Sequence, residues 1–267
     1  MKYNETDYNK IDIKDNFMFC TVMRKPGLCK EFLERVLGVS IKKIQYVDGE
    51  KSVDIAIDAK SIRLDVYLND EKGTVYDLEM QKSDTLEIPK RSRYYSSLID
   101  LDVLKKGQFY NELPPNIVLF ICDFDLFSPW NKALYCFENR CIDNTDLALN
   151  DGTMKAFLNI KGDLTEVSKQ MKSLLQYFDT GLISDEFTAS LNNEVISTKN
   201  NEQWRLKYVT LQNALTEKYI LGHKEGQLET IHSLLQKDVL TPKQAADELG
   251  ISIETLNNML EKLNETN

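Results

Sequence analysis

Polar and apolar residues alternate over two short runs near residue 70, and this alternation predicts a β-hairpin. The first run is LDVYL, beginning at Leu64, and the second is TVYDLEMQ, beginning at Thr74. The residues between them, NDEKG, have the small and polar side chains of a tight turn. Carboxylates are costly to bury unless they are paired or bind a metal. The acids in these strands therefore need either an exposed face or a chemical role.

Helical and strand patterns alternate over the first 180 residues. The spacing of apolar positions predicts helices over NFMFCTVMR, KEFLERVLG, IPKRSRYYSSLIDLDVLKKG and DLTEVSKQMKSLLQYF. The further strand patterns are SVDIAID, NIVLFICDF, LYCFENR and AFLNIKG. The continuous apolar run NIVLFICDF is typical of a strand buried on both faces. We therefore predict one mixed α/β domain around a single sheet over residues 10–180.

The predicted helix that follows the hairpin has a defined inner face. Its inward-packing residues are predicted to be Tyr94, Tyr95, Leu98, Leu101 and Leu104. Gly107 is predicted to end the helix, because glycine is favoured just beyond a helix C-terminus.

Residues 181–267 are predicted to form an α-helical region. Gly222 and Gly226 are the weak points of its long helical pattern. The tail has two short helices joined by LGIS, an arrangement similar to a helix-turn-helix, with predicted packing positions Ala245, Ala246, Leu249, Ile251 and Leu256. A recognition helix needs base-reading and phosphate-binding side chains. Residues 201–267 carry seven basic and ten acidic residues, so packing or self-association is favoured over DNA reading.

Composition restricts the class of protein. No apolar run of the 267 residues reaches the ~18 residues of a membrane helix, and the N-terminus is too polar for a signal peptide. We therefore expect a cytoplasmic protein without membrane association. Five cysteines without a CxxC motif predict neither a disulfide framework nor a zinc knuckle. The two histidines, His223 and His232, lie in the helical region, so catalysis would depend on carboxylates and a metal.

The hairpin places acidic and amide side chains on one face. Asp77, Glu79 and Gln81 alternate onto the same side of the second strand. We expect Asp65, on the partner strand, to come within reach of Glu79, because cross-strand neighbours approach to ~4.5–5.5 Å. Two carboxylates at this distance repel unless a cation joins them, and hard oxygen ligands suit Mg²⁺ or Mn²⁺. The alternative is that these acids line the solvated face of an amphipathic hairpin.

Residues from about 16 to 162 resemble the PD-(D/E)XK nuclease family transposases, also described as recombination-promoting (Rpn) nucleases. The resemblance rests on Asp65, Glu79 and Gln81 in this order, and on the segments RLDVYLND, DLEMQ, RSRYYSSL, KKGQFYNELPPNIVLFICDFDLF and LNDGTMKAFLN. It implies a restriction-endonuclease-like α/β core, in which helices flank a mixed sheet, with a helical C-terminal extension.

The resemblance also implies a metal-dependent DNA endonuclease with little sequence preference, acting in DNA mobility or in defence against foreign DNA. Asp65, Glu79 and the backbone carbonyl of Met80 would ligate Mg²⁺ or Mn²⁺. The metal would polarise the phosphodiester and lower the pKa of a bound water. Gln81 stands where many relatives in the wider superfamily have lysine, and it supplies hydrogen bonds without positive charge. Double-strand cutting by one small site favours a homodimer.

Five further residues are candidates with open alternatives. Arg91 and Arg93 would contact DNA phosphates, or form salt bridges with acids of their own helix. Asp15 would assist the site or simply cap the first predicted helix. Asp77 would bind a second metal or a water, or be solvated or paired. Lys82 points away from the acidic face of a regular strand, so it replaces the missing lysine only if a bulge intervenes.

Two other functions remain open at the level of sequence. The first is a catalytically inactive, nuclease-like DNA-binding or scaffolding protein of a mobile element, which the net charge of −9 and the missing lysine favour. The second is a protein-interaction module that assembles through its helical C-terminus. Metal-dependent cutting of plasmid DNA separates the enzyme from both.

Overall fold

The computed structural model describes residues 5–46, 52–53 and 62–266. The chain divides into two compact units. One unit is Asn9–Glu202, and the other combines Met1–Tyr8 with Gln203–Asn267. No helix among the described residues is both long and apolar enough to cross a membrane.

The described part of the chain contains both α-helices and β-strands. The helices are α1 (Glu5–Lys10), α2 (Asn16–Met23), α3 (Pro26–Leu37), α4 (Ile88–Val103), α5 (Lys169–Thr180), α6 (Glu186–Lys199), α7 (Glu202–Gln236), α8 (Pro242–Leu249) and α9 (Ile253–Thr266). The strands are β1 (Ile44–Tyr46), β2 (Ser52–Val53), β3 (Ile62–Arg63), β4 (Val66–Asp70), β5 (Val75–Gln81), β6 (Asn116–Cys122), β7 (Leu134–Phe137) and β8 (Thr153–Asn159).

Six of these strands form one mixed sheet in the order β1-β4-β5-β6-β8-β7. The predicted hairpin is β4 and β5, which pair antiparallel with Val66 opposite Leu78 and Tyr67 opposite Asp77. The strands β5, β6 and β8 run parallel, so their carboxyl ends lie side by side at the same end of the sheet. The predicted mixed α/β sheet is therefore confirmed. The strand predicted over SVDIAID lies outside the described residues, except for Ser52 and Val53 in β2.

Local capping explains where several helices begin and end. Asp15 is the N-cap of α2, and its carboxylate accepts the Phe17 N–H at 3.0 Å, so the predicted cap is confirmed. Gly38 ends α3 with φ +67°, a left-handed conformation that glycine adopts without strain. Ser168 caps α5, so this helix begins after the acidic segment where the sequence pattern placed its start.

The helix α4 differs from its prediction at two points. It ends at Val103, where the N–H of the C-cap residue Leu104 donates to the Asp100 carbonyl, and it therefore stops before Gly107. Tyr94 and Leu101 are 37% and 61% exposed, so the prediction that they pack inward is wrong. The buried stripe of α4 is centred on Tyr95 and its neighbours at helical spacing, and Tyr94 and Leu101 lie on the other side of the helix.

The helix α4 covers the face of the sheet that carries the acids of β5. The apolar core on this side contains Tyr67, Val75, Ile88, Tyr95, Leu98, Ile99, Val118, Phe120, Cys122 and Phe157. In the parallel register, Asp77 lies beside Val118, and Glu79 lies beside Phe120. The acids therefore share a face with core residues, beneath a helix. Elsewhere α2 contacts β5, and α3 contacts β1.

The first compact unit extends past residue 180, where the sequence pattern placed the domain boundary. Helix α6 packs against α2, α3 and α5, and this unit ends at Glu202. Asp185 caps α6 and bonds Arg35 of α3 at 2.5 Å, which ties the two helices together. The division into a nuclease-like domain and an accessory region stays a prediction.

The second unit is dominated by α7, which continues without interruption through Gly222 and Gly226. Helices α8 and α9 are joined at Gly250, whose φ is +63°. Leu228 and Ile231 of α7 form an apolar cluster with all five predicted packing positions. These positions are Ala245, Ala246, Leu249, Ile251 and Leu256. The tail therefore folds back on α7 through these positions.

Candidate active site

Asp65 and Glu79 meet at the end of the hairpin opposite its turn. The Asp65 N–H donates to Glu79 Oε1 at 3.1 Å. The Met80 N–H donates to Asp65 Oδ2 at 3.3 Å. The Asp65 side chain thus takes the place of a strand partner for Met80, immediately before β4 begins. The structure brings together the two residues that the sequence singled out as metal ligands.

The acids of β5 are buried. Glu79 is 2% exposed and Asp77 is fully buried, so the alternative of a solvated hairpin face is wrong. Burial raises the pKa of Glu79 well above its usual range, and the nearby charges of Asp77 and Asp65 raise it further. The site therefore concentrates carboxyl groups where water cannot screen them.

Asp77 has an unusual environment for a carboxyl group. Among the described residues, neither of its side-chain oxygens has a hydrogen-bond partner. Burial raises the pKa of Asp77 well above its usual range, and the charge of Asp65 adds to this effect. Asp77 is thus not solvated, and its oxygens accept no hydrogen bond within the described part of the chain, whereas the sequence left open a solvated or a paired side chain.

Arg91 of α4 reaches across to the acids from above the sheet. Its guanidinium donates to Glu79 Oε2 at 3.3 Å, to Gln81 Oε1 at 3.1 Å and to the Tyr95 hydroxyl at 3.0 Å. It also lies 5.3 Å from the ring centre of Tyr95 and 5.4 Å from that of Phe120. Arg91 does form a salt bridge, but with β5, whereas the sequence suggested an acid of its own helix.

The contact with Gln81 clarifies the position where the wider superfamily often has lysine. Gln81 carries no charge, but its carbonyl oxygen holds the guanidinium of Arg91 at the end of β5. A positive charge therefore lies at this position, although it belongs to another element. The sequence pattern does not indicate this contact, because Arg91 lies ten residues further along the chain, on a helix.

The remaining candidates lie at the margin of this cluster. Arg93 is exposed and lies two residues from Arg91, so it faces a different side of α4. Lys82 follows the last residue of β5, and its Nζ lies 3.5 Å from Asp15 Oδ2. Asp15 therefore both caps α2 and contacts Lys82. These contacts place Lys82 and Asp15 at the same edge of the sheet as Gln81.

Asn16 belongs to the site and was missed in the sequence. Its amide Nδ2 donates to Asp65 Oδ1 at 3.1 Å, and its Oδ1 accepts a hydrogen bond from Cys20 Sγ at 3.0 Å. The four-residue spacing of Asn16 and Cys20 places them on one face of α2. Nothing in the local pattern indicates that this face meets Asp65, which lies 49 residues away.

The residues present fit a divalent metal ion by their chemistry. Asp65 and Glu79 offer carboxylate oxygens, the hard ligands that Mg²⁺ and Mn²⁺ prefer. In a strand, the N–H and C=O of one residue point to the same side. Because the Met80 N–H points to Asp65, the Met80 carbonyl is also directed to the Asp65 side. Among the described residues, no group of three or more His, Cys, Asp or Glu side chains forms a metal cluster by itself.

The fold and the site together define a nuclease-like α/β protein, with acids at one end of a mixed sheet. A family model described as PD-(D/E)XK nuclease family transposase matches residues 16–179. The match covers more than half of the chain, which therefore belongs to this family. The resemblance stated from the sequence and the restriction-endonuclease-like fold are thus confirmed. Comparisons with curated proteins and with solved structures gave no match.

Membership of this family indicates the general chemistry. The family points to a hydrolase that acts on nucleic acids, with DNA as the implied substrate. PD-(D/E)XK nucleases generally use divalent metal ions.

Proposed function

We propose that this protein is a metal-dependent DNA endonuclease of the recombination-promoting type, which hydrolyses phosphodiester bonds with little sequence preference. The observation that supports this most directly is the meeting of Asp65 and Glu79 around the Met80 backbone at one end of the hairpin. These are the residues and the location that the family resemblance implies for the metal site.

Asp65, Glu79 and the Met80 carbonyl would hold Mg²⁺ or Mn²⁺. When bound, such an ion supplies a Lewis acid that polarises the phosphodiester and stabilises the charge developing on the scissile phosphate. The chain's own contribution is to fix the ligands. The Met80 N–H and the Asn16 amide hold the Asp65 carboxylate, and the Asp65 N–H holds that of Glu79.

Arg91 and Gln81 would act together on the phosphate. Arginine presents a planar fork of donors that matches phosphate oxygens. The hydrogen bond from Arg91 Nη1 to Gln81 Oε1 orients this fork at the end of β5. The guanidinium would then supply the positive charge that an amide at position 81 lacks. This role accounts for a glutamine at the usual lysine position in an active nuclease.

Plasmid nicking by the purified protein tests the proposal. We compare the wild type with Asp65→Asn and Glu79→Gln, in buffers that contain Mg²⁺, Mn²⁺ or EDTA. Glu71→Gln is the matched control, because Glu71 lies in the turn at the other end of the same hairpin. We expect metal-dependent nicking that falls at least ~100-fold in both site variants and is unchanged in the control. Circular dichroism establishes that each variant is folded.

Two results would contradict this function. Equal cutting by all four proteins would identify a contaminating nuclease. Nicking that is absent from the wild type under every metal condition would support the catalytically inactive DNA-binding or scaffolding alternative instead.

A further inference from the structure

A cluster of charged side chains lies at the carboxyl ends of the parallel strands, next to the candidate active site. Its members, which we call the basic rim, are Lys14, Asp15, Lys82, Asp123 and Lys161. They come from the segment before α2 and from the residues that follow β5, β6 and β8. In sheets of this kind, ligands commonly bind outside the carboxyl ends of the strands.

Asp123 joins the rim to the active site. Its backbone N–H donates to the Gln81 carbonyl at 3.0 Å. Its carboxylate lies 3.2 Å from Lys14 Nζ and 3.2 Å from Lys161 Nζ, and its carbonyl accepts a further bond from Lys161 at 3.0 Å. Gln81 is the last residue of β5 and Asp123 bonds it directly. The two lysines that contact Asp123 therefore lie close to the end of β5.

Lys82 extends the rim on the other side of Gln81. Its amine lies 3.5 Å from Asp15, the residue next to Lys14. The exposure of the side chains shows the direction of the charge. Lys82 and Lys161 are 54% and 52% exposed, whereas Asp15 and Asp123 are 16% and 18% exposed. The aspartates are largely covered, so the rim presents its positive charge to solvent.

We propose that the basic rim receives the phosphate backbone of DNA beside the scissile bond. This inference rests on the proposed function for the position of the bond that is cut. A chain of net charge −9 repels DNA as a whole, so phosphate contacts must come from a local basic surface. Lys82 and Lys161 reach phosphates without reading bases, in agreement with low sequence preference. Lys14, which is 15% exposed, keeps Asp123 in place between them.

Salt-dependent DNA binding tests the rim separately from catalysis. The full-length protein is titrated with a short fluorescent DNA duplex in EDTA, and anisotropy is recorded at several NaCl concentrations. The plot of log K against log salt concentration has a negative slope, and each lost phosphate contact lowers the magnitude of this slope by about 0.9. For Lys82→Ala/Lys161→Ala we therefore expect a slope reduced by about 1.8 and roughly tenfold weaker binding.

Lys42→Ala/Lys43→Ala is the matched control. It also removes two positive charges, but these lie beside Glu71 in the hairpin turn, at the opposite end of the sheet. The contacts of Lys42 and Lys43 with Glu71 use their backbone N–H groups, which the substitutions keep. We expect the slope and affinity of the wild type. Thermal unfolding is measured for every variant, so that misfolding is recognised.

The following outcomes overturn the inference. The first is an equal slope for the two double variants, and the second is undetectable DNA binding by the wild type. The third is rim-dependent binding of fluorescent polyglutamate that is tighter than the binding of DNA, which would identify an acidic protein as the partner. Plasmid nicking on the same preparations separates the two proposals. Rim-dependent binding without nicking keeps the rim and rejects the nuclease, whereas nicking with unchanged binding in Lys82→Ala/Lys161→Ala keeps the nuclease and rejects the rim.

Discussion

At the scale of single residues, the site is controlled by how buried carboxyl groups are compensated. Glu79 is almost fully buried, and its contact with Arg91 replaces part of the hydration that it lost. Arg91 is itself held by Tyr95 and Gln81, so its position is fixed before any ligand arrives. Removing one partner of such a pair leaves the other charge buried and uncompensated.

We predict that Arg91→Met destabilises the metal-free protein by about 2–3 kcal/mol. Breaking a buried ion pair costs about 3–5 kcal/mol, and we reduce this figure because the Arg91 side chain is 26% exposed. Urea unfolding in EDTA measures the change in the free energy of unfolding. The variant Arg91→Met/Glu79→Gln should recover most of the loss, because it removes both charges. Additive losses in the double variant would show that the two residues are not coupled.

At the scale of elements, the helices around the sheet are fixed by contacts that span long stretches of chain. Arg35 of α3 bonds Asp185, the N-cap of α6, 150 residues later. Burial by itself raises the pKa of Asp185, but hydrogen bonds from Thr188 and Arg35 outweigh it and lower the pKa to about 2. The ionised carboxylate therefore stabilises the folded state.

This shift predicts a pH-dependent contribution from Asp185. Because its pKa is lower in the folded protein, the contribution is complete above pH ~5 and is lost as the pH falls through about 4 to about 2. We expect Asp185→Asn, which keeps an N-cap side chain, to lose about 1–2 kcal/mol at pH 7. The difference from the wild type should narrow on acidification, as followed by urea unfolding. The exposed Glu166→Gln serves as control, and a constant difference at all pH values would contradict the prediction.

At the scale of the whole molecule, the chain consists of two compact units with separate cores. The unit Asn9–Glu202 contains the sheet, the candidate site and α6. Tyr8 and Tyr208 both belong to the other unit, where their tilted rings pack with centres 5.3 Å apart. The second unit exposes apolar side chains along α7, including Leu215, Tyr219 and Leu221. Large exposed apolar side chains on a helix suit association with another helix.

We predict that a fragment of residues 9–202 folds and retains metal-dependent nicking, because the described residues of the sheet core and of the candidate site all belong to this unit. We further predict that the full-length protein is a homodimer that assembles through the second unit. Light scattering should then give about twice the 30.8 kDa chain mass for the full-length protein, and a single chain for the fragment. An unchanged oligomeric state on truncation would reject assembly through α7 to α9.

The amino-acid sequence by itself determined the local elements and the shared face of the acids. Strand alternation placed Asp77, Glu79 and Gln81 on one side of β5, and the long apolar run predicted β6 as a fully buried strand. These features depend on residues that are neighbours along the chain. Periodicity reports them directly, because the backbone geometry of a strand or helix fixes which side chains share a face.

Only the tertiary structure decided what covers that face and which residues meet there. Alternation leaves open whether an acidic face is solvated or buried, and here α4 buries it and supplies Arg91. The contact of Asn16 with Asp65 and that of Lys14 with Asp123 join residues 49 and 109 positions apart. Such pairs depend on the packing of separate elements, which minimises uncompensated charge in the interior. Local sequence patterns carry no record of that packing.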